Sequence, residues 1–239
     1  IPPFQYYLKE RVSSGKITVD VLDAQGQLVL SLPGSNRKGV NKVYWNFRMK
    51  PPRTASGGTK MDIGGFVAPM VLPGNYTVVL KIGESAYSSP LVLFHDTADR
   101  AFTLAERNRQ FETAMALYGL HEQLASFVDT VNARQKWVRS IDGKDKKTIA
   151  SLKSYDADLE GIRASCLATK QKSIFADEER LRERITDVYV AVCSQEAAPS
   201  NLQLDRIALL KSELQQLQGK YQATEDKYMP LRKKLSGIK

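Results

Sequence analysis

The sequence predicts an α+β protein of two domains: an antiparallel β-sandwich over residues 1–96, then an all-α antiparallel bundle of about four helices over residues 97–239. In the first part apolar residues alternate with a period of two, the pattern of half-buried strands. In the second part they recur every three or four positions, the pattern of amphipathic helices. After residue 97 only Pro199 and Pro230 are prolines, and 239 residues suffice for two domains.

The strongest strand signal is a hairpin in residues 16–33. Two alternating apolar runs, residues 17–21 and 28–32, flank the tetrapeptide Asp23-Ala24-Gln25-Gly26. Asp at the first position and Gly at the fourth are typical of a type I turn that closes into a bulge. These residues therefore predict two adjacent antiparallel strands.

Further strands are predicted on both sides of this hairpin. Residues 4–10 alternate, and Tyr7 on the face opposite Tyr6 is expected to be exposed. Val43, Trp45 and Phe47 form a third run, in which Trp45 is the side chain expected to fill the centre of the sandwich. Residues 76–81 and 90–94 bring the total to six or seven short strands, as in a β-sandwich.

Residues 48–72 contain a long stretch rich in Gly, Pro, Ser and Thr, in which apolar residues follow no period. We expect an exposed loop here, and loops of this length are uncommon without a function. Two interpretations remain open: a contact surface of the first domain, or a mobile insertion that binds nothing.

Several segments of the first part resemble the Ig-like domain of the flagellar hook-capping protein FlgD. The matching segments are Tyr6-Tyr7-Leu8, Val19-Asp20-Val21-Leu22-Asp23, Gly26, Leu30-Ser31-Leu32, Gly39-Val40-Asn41, Trp45 and Pro73-Gly74-Asn75-Tyr76-Thr77-Val78. With Pro2-Pro3-Phe4 at the entry and a helical tail, nearly the whole chain also resembles the C-terminal region of bacterial sortilin-like or sialidase-like BNR-repeat β-propeller proteins.

This resemblance implies an Ig-like sandwich in a non-catalytic accessory region, because hydrolase-like or ligand-binding residues would belong to the propeller. It also implies a periplasmic, cell-surface or secreted bacterial location. The partner would be the upstream β-propeller domain or another envelope protein.

The first helix is predicted to begin between Thr97, a possible N-cap, and the capping box Thr103-Leu104-Ala105-Glu106. An apolar stripe about 30 Å long follows and ends near residues 140–143. Its members are Phe111, Ala114, Leu117, Leu120, Leu124, Phe127 and Val131.

Two more helices follow. The second carries Ile149, Leu152, Tyr155, Leu159, Ile162 and Cys166 at helical spacing. The third is predicted from about Phe175, after a turn near Lys172, with Glu178 and Arg182 spaced for an i,i+4 ion pair. Residues 197–201 form a break that ends in a capping residue.

The last helix has a sustained heptad seam, which Pro230 should interrupt. The seam consists of Ile207, Leu210, Leu214, Leu217, Tyr221, Thr224, Tyr228, Leu231 and Leu235. Four such stripes cannot all face water. We expect a closed antiparallel bundle, and the alternative is two helical hairpins laid against an upstream propeller.

Charge and hydropathy limit the partners. The net charge of +9 is divided as +5 in residues 1–96 and +4 in the remainder, without a basic tail, so nucleic-acid binding is not expected. No apolar run approaches the ~20 residues of a membrane span. The chain starts at Ile1 without methionine, which we interpret as a fragment or processed product whose targeting information lies upstream.

No catalytic, cofactor-binding or metal-binding residues are predicted. His95 and His121 have no Cys, Asp or Glu at ligand spacing. Asp23 is explained by its turn and Asp20 by the solvent face of a strand. There is no G-x-S-x-G motif, and the Gly57-Gly58 and Gly64-Gly65 pairs lack the Lys-Ser/Thr of a phosphate loop.

Three other side chains that could have a functional role are explained by packing instead. Cys166 and Cys193 are expected to be free, buried thiols, because the predicted helical hairpin places them about 22 Å apart, beyond the reach of a disulfide. Trp137 is expected to close the end of the first helical stripe.

The sequence thus favours a non-catalytic structural and interaction module, without cofactors. The alternative is an accessory carbohydrate-binding or substrate-presenting module of a glycoside hydrolase-like protein. A third hypothesis is a polyanion binder, for which retention on heparin would fall steeply with salt.

Overall fold

A computed structural model of the chain describes residues 2–57, 63–96, 102–142, 145–168, 178–235 and 237. These residues contain six β-strands in two antiparallel sheets and five α-helices, which confirms the predicted α+β class. The chain divides into two compact units. The strand unit comprises Ile1–Pro51, Ala68–Glu112 and Gln195–Ala198, and the helical unit comprises Pro52–Val67, Thr113–Ser194 and Pro199–Lys239.

The six strands are β1 (Phe4–Leu8), β2 (Ile17–Leu22), β3 (Leu28–Pro33), β4 (Gly39–Val43), β5 (Gly74–Ile82) and β6 (Ser85–Leu93). Strands β1 and β4 pair in a two-stranded sheet. The other four form a sheet in the order β3-β2-β5-β6, so that β2 and β5 are central and β3 and β6 lie at the edges.

The predicted hairpin is confirmed. The Asp23 carbonyl accepts from the Gly26 amide at 3.0 Å, and the Asp23 carboxylate accepts from the amides of Gln25 and Gln27. Gly26 has φ 77°, a conformation that glycine adopts without steric cost. The Asp23 amide donates to the Gln27 carbonyl at 2.9 Å, which closes the turn into the predicted bulge, and a separate register shift lies between Val21 and Leu22.

Trp45 is the central side chain of the strand unit, as predicted, and only 2% of it is exposed. Its ring lies 6.2 Å from that of Phe4, 5.3 Å from Phe47 and 6.1 Å from Tyr76, and its indole N–H donates to the Arg48 carbonyl at 2.8 Å. The third run is not one strand, however. Strand β4 ends at Val43, and Phe47 has a positive φ of 59° that leaves the extended conformation.

The helices are α1 (Leu104–Arg139), α2 (Lys146–Cys166), α3 (Leu181–Ser194), α4 (Asn201–Lys227) and α5 (Met229–Leu235), and a short 3-10 helix covers Ile63–Gly65. The capping box before α1 is confirmed, since Glu106 accepts from the Thr103 amide and Thr103 Oγ1 accepts from the Glu106 amide. Ser200 caps α4 in the same way. The possible cap Thr97 lies outside the described residues.

The apolar stripes of the helices form one buried core. The seam of α4 is buried at Ile207, Leu210, Leu214 and Leu217. The chain leaves helical geometry at Tyr228, before the predicted interruption at Pro230, and resumes as α5. Other core members are Leu117, Leu120, Leu124, Leu152, Leu159, Leu181, Ile185 and Tyr189.

Two details of the helix predictions are wrong. Ile149 is 39% exposed, because it lies in the first turn of α2, before the buried stripe begins at Leu152. Helix α3 begins at Leu181, and residues 178–180 precede it without helical structure. The predicted turn near Lys172 and the predicted start at Phe175 lie outside the described residues.

The described part of residues 52–67 belongs to the helical unit and is only partly exposed, since Ile63 and Phe66 expose 41% and 77% of their surface while other positions are buried. Ala55 is only 2% exposed, and its carbonyl accepts from the Arg182 guanidinium at 2.9 Å. The Val67 carbonyl accepts from the Tyr189 hydroxyl at 3.0 Å. Arginine and tyrosine side chains thus satisfy main-chain carbonyls that a segment without regular secondary structure leaves unpaired.

Candidate interaction surface

The two histidines lie in different surroundings. His121 is fully buried, with its ring edge-on to Tyr189 at 5.3 Å, and His95 is half-buried after β6. Among the described residues, no group of three or more His, Cys, Asp or Glu side chains is close enough to hold a metal ion. Nor is any described helix long and apolar enough to cross a bilayer.

The sequence suggested that Asp20 lies on the solvent face of its strand, but the residue is 95% buried. It sits on the central strand β2, where Ser31 of β3 donates to its carboxylate at 2.6 Å and Lys81 of β5 forms an ion pair at 2.7 Å. Burial alone would raise the pKa of Asp20, but the bonds from Lys81 and Ser31 bring it below its usual range. Asp20 therefore joins three strands.

The cysteines are free and buried, which confirms the prediction. Burial, assisted by the negative charge of Glu213, raises the pKa of Cys166 to about 12. Its thiol is therefore protonated at neutral pH and is a poor nucleophile. Trp137 is half-buried at the end of α1 and packs on the core, with the Arg134 guanidinium 5.6 Å above its ring.

The outward face of the two-stranded sheet is exposed and presents an apolar pair of side chains beside the polar pair Gln5 and Lys42. Tyr7 is paired with Val40 across β1 and β4, and these side chains are 67% and 64% exposed. Tyr44 continues the alternation after β4 and is 62% exposed. The intervening residues Asn41, Val43 and Trp45 point inward and are buried. We call Tyr7, Val40, Lys42 and Tyr44 the outward face.

Four basic residues gather at one end of this sheet, and a fifth, Lys42, lies nearer the other end, opposite Gln5. The ladder ends at the Leu8–Gly39 pair, and reciprocal hydrogen bonds of 3.1 Å between Val12 and Asn36 keep the two following segments side by side. These segments and Lys42 carry five exposed cations, which we call the basic rim. They are Lys9, Arg11, Arg37, Lys38 and Lys42.

Sequence reasoning missed the basic rim because its members come from two segments more than 20 residues apart. No part of either segment is a dense charge run, and the densest basic runs of the sequence, residues 144–147 and 232–234, lie elsewhere in the chain. The signal that could have revealed it is the pairing of β1 with β4, which brings residues 9–11 beside residues 37–38.

A buried ionic cluster surrounds Glu225 in the helical unit. Its carboxylate accepts from the Tyr155 hydroxyl and forms ion pairs with Arg134 at 2.9 Å and Arg232 at 2.6 Å. The Tyr155 ring stacks on Tyr228 at 4.3 Å. Burial and the adjacent Glu225 both raise the pKa of Tyr155. The cluster joins α1, α2, α4 and α5.

A surface groove lies between α1 and α2. Arg139 and Arg163 line it, and both are neutralised there, by Asp156 at 2.8 Å and by Glu160 at 2.8 Å respectively. These two arginines are thus paired within the protein, unlike the cations of the basic rim.

Comparison with protein-family models, with curated proteins and with solved structures found no match to this chain.

Proposed function

We propose that this chain is a non-catalytic structural and interaction module that binds another protein through the outward face. The supporting observation is that Tyr7, Val40 and Tyr44 all expose more than 60% of their surface on one side of a two-stranded sheet. Exposed apolar groups that lie together and are bordered by polar ones mark sites of protein association.

The proposed architecture is an Ig-like sandwich followed by a helical bundle. For the sandwich, the core around Trp45 includes Val21 of the larger sheet, and Phe4 of β1 and Tyr76 of the larger sheet pack against it. For the bundle, Phe127 of α1 meets Tyr221 of α4 at 5.8 Å. Each of these contacts is of the kind that closes a core between packed layers.

The proposed context is the C-terminal region of a secreted or envelope-associated bacterial β-propeller protein. It rests on the residues that resemble that family, from Pro2-Pro3-Phe4 to Pro73–Val78. In this context the protein that covers the outward face would be the propeller domain or another envelope protein. An apolar centre with a charged border is the usual composition of such an interface.

Site-specific photo-cross-linking tests the proposal. A photoreactive benzoylphenylalanine replaces Val40 in the cells that produce the chain, and the same residue replaces Tyr87 of β6 as a control. Tyr87 is 61% exposed in the same unit, so it matches Val40 in accessibility. We expect one discrete adduct at position 40, lost when Tyr7 and Tyr44 become serine. Absence of an adduct, or the same adducts at both positions, would contradict the proposal.

A carbohydrate-binding role is the second candidate, because two exposed tyrosines lie on one face. Tyr44 is four residues from Val40, the partner of Tyr7, which gives a spacing of about 14 Å along the strand. Tyrosine rings at such a spacing can stack on the faces of two separate sugars in one chain. Retardation of the wild type, but not of a Tyr7→Ser/Tyr44→Ser variant, in gels containing neutral polysaccharide would favour this role.

A further inference from the structure

The basic rim lacks ion pairs within the described part of the chain. None of its five cations forms an ion pair with a residue in the described part of the chain, although eleven ion pairs occur elsewhere there. Glu10 is the only acidic residue in residues 9–12 and 35–42. Like charges held close together on a fixed backbone repel one another, so a bound anion would relieve this repulsion.

The rim is also continuous with the outward face. Lys42 lies on that face, two residues from Val40 and opposite Gln5, and Arg37 and Lys38 precede the strand that carries both. An apolar centre and a cationic border therefore form one surface on β1, β4 and the segments that continue them.

We infer that the surface of the partner is acidic: it presents Asp or Glu side chains to the basic rim around an apolar side chain that covers Val40. This inference rests on the proposed function and specifies the chemistry of the partner. Complementary charge at the border of an interface speeds association and selects the partner, while the apolar centre holds it.

Val40 favours a protein over an acidic polysaccharide or a nucleic acid. Its β-branched side chain is 64% exposed at the middle of the surface and has no hydrogen-bonding group or aromatic ring. Sugars and bases gain their contacts by stacking on aromatic rings and by hydrogen bonding, whereas an aliphatic side chain is complementary to Val40.

Synthetic peptides test the inference directly with the full chain. The probe is a fluorescent eight-residue peptide of alternating Glu and Leu, compared with an alternating Gln and Leu peptide of equal length and with a heparin octasaccharide. Fluorescence anisotropy gives each dissociation constant at 50 and 200 mM salt. We expect the Glu-Leu peptide to bind at least about tenfold more tightly than the Gln-Leu peptide, with an affinity that falls as salt rises.

Two double variants separate the rim from overall charge. Arg37→Glu/Lys38→Glu should weaken binding of the Glu-Leu peptide at least about tenfold, because attraction becomes repulsion at two positions. Lys146→Glu/Lys147→Glu, at exposed positions of α2, changes the net charge of +9 by the same amount and should leave affinity within about twofold. Equal weakening by both variants, or by neither, overturns the inference.

The heparin arm tests the class of partner. Tighter binding of heparin than of the Glu-Leu peptide, lost in the Arg37→Glu/Lys38→Glu variant, would overturn a protein partner in favour of a sulfated glycan. Failure of this inference can be distinguished from failure of the proposed function. If position 40 still yields its cross-linked protein while the peptides do not distinguish the variants, the inference of an acidic partner is rejected. The proposal that the outward face binds a protein is then retained.

Discussion

Replacing Glu225 with Gln should destabilise the helical unit more than any comparable change at its surface. Glu225 is only 7% exposed, and its carboxylate is the shared acceptor for the Tyr155 hydroxyl and for Arg134 and Arg232. The amide keeps the size of the side chain but removes the negative charge. Both guanidinium groups then lose the negative charge that they share, and the Tyr155 hydroxyl loses its ionic acceptor.

The expected magnitude follows from the burial of these groups. Removing one partner of a fully buried ion pair costs about 3–5 kcal/mol, because the remaining charge is left uncompensated. Here Arg134 and Arg232 are 24% and 31% exposed, so water screens part of that cost. We therefore expect a loss of about 2–4 kcal/mol in the free energy of unfolding for Glu225→Gln.

Urea unfolding followed by circular dichroism at 222 nm measures this loss. Glu213→Gln is the matched control, since Glu213 lies on the same helix and also pairs with an arginine, Arg184, but is 33% exposed. We expect the control to cost less than about 1 kcal/mol. Equal costs for the two variants, or a cost below that limit for Glu225→Gln, would refute the reasoning.

Three further predictions concern single residues. Cys166, with a pKa of about 12, should react with a disulfide reagent at pH 8 at least about a hundredfold more slowly in the folded chain than in urea; equal rates would contradict its burial. Trp45→Ala should cost the strand unit about 3–5 kcal/mol, measured by chemical unfolding followed through near-ultraviolet circular dichroism, and a cost under about 1 kcal/mol would show that the ring is not central. The pKa of Asp20 is lowered, so its ion pair contributes stability above the unfolded pKa of about 3.9 and loses it as pH falls. The stability difference between wild type and Asp20→Asn should therefore shrink between about pH 5 and pH 2, and a difference that stays constant would contradict this.

Local patterns predicted much of the fold. The Asp23–Gly26 turn, the capping box at Thr103 and the seam of α4 were all predictable because each depends on residues within a few positions of one another. The burial of both cysteines and of Trp45 was also predictable, since each lies on an apolar face of its element.

The remaining features depend on contacts between distant residues. The carbonyl of Ala55 meets Arg182, 127 residues later, and neither residue lies in a periodic pattern that predicts this contact. Asp20 looks like a solvent-facing strand residue until Lys81 is placed on the neighbouring strand. The basic rim likewise exists only once β1 and β4 are paired, which is why composition alone suggested evenly spread charge.

Hydrogen–deuterium exchange tests most directly whether the outward face binds another protein. Backbone amides of the free chain are compared with those of the chain bound to the protein that cross-links at Val40. We predict slower exchange on binding in β1 and β4, with β6 unchanged. Protection that is absent from β1 and β4, or that falls on α4 instead, would contradict the proposed docking face.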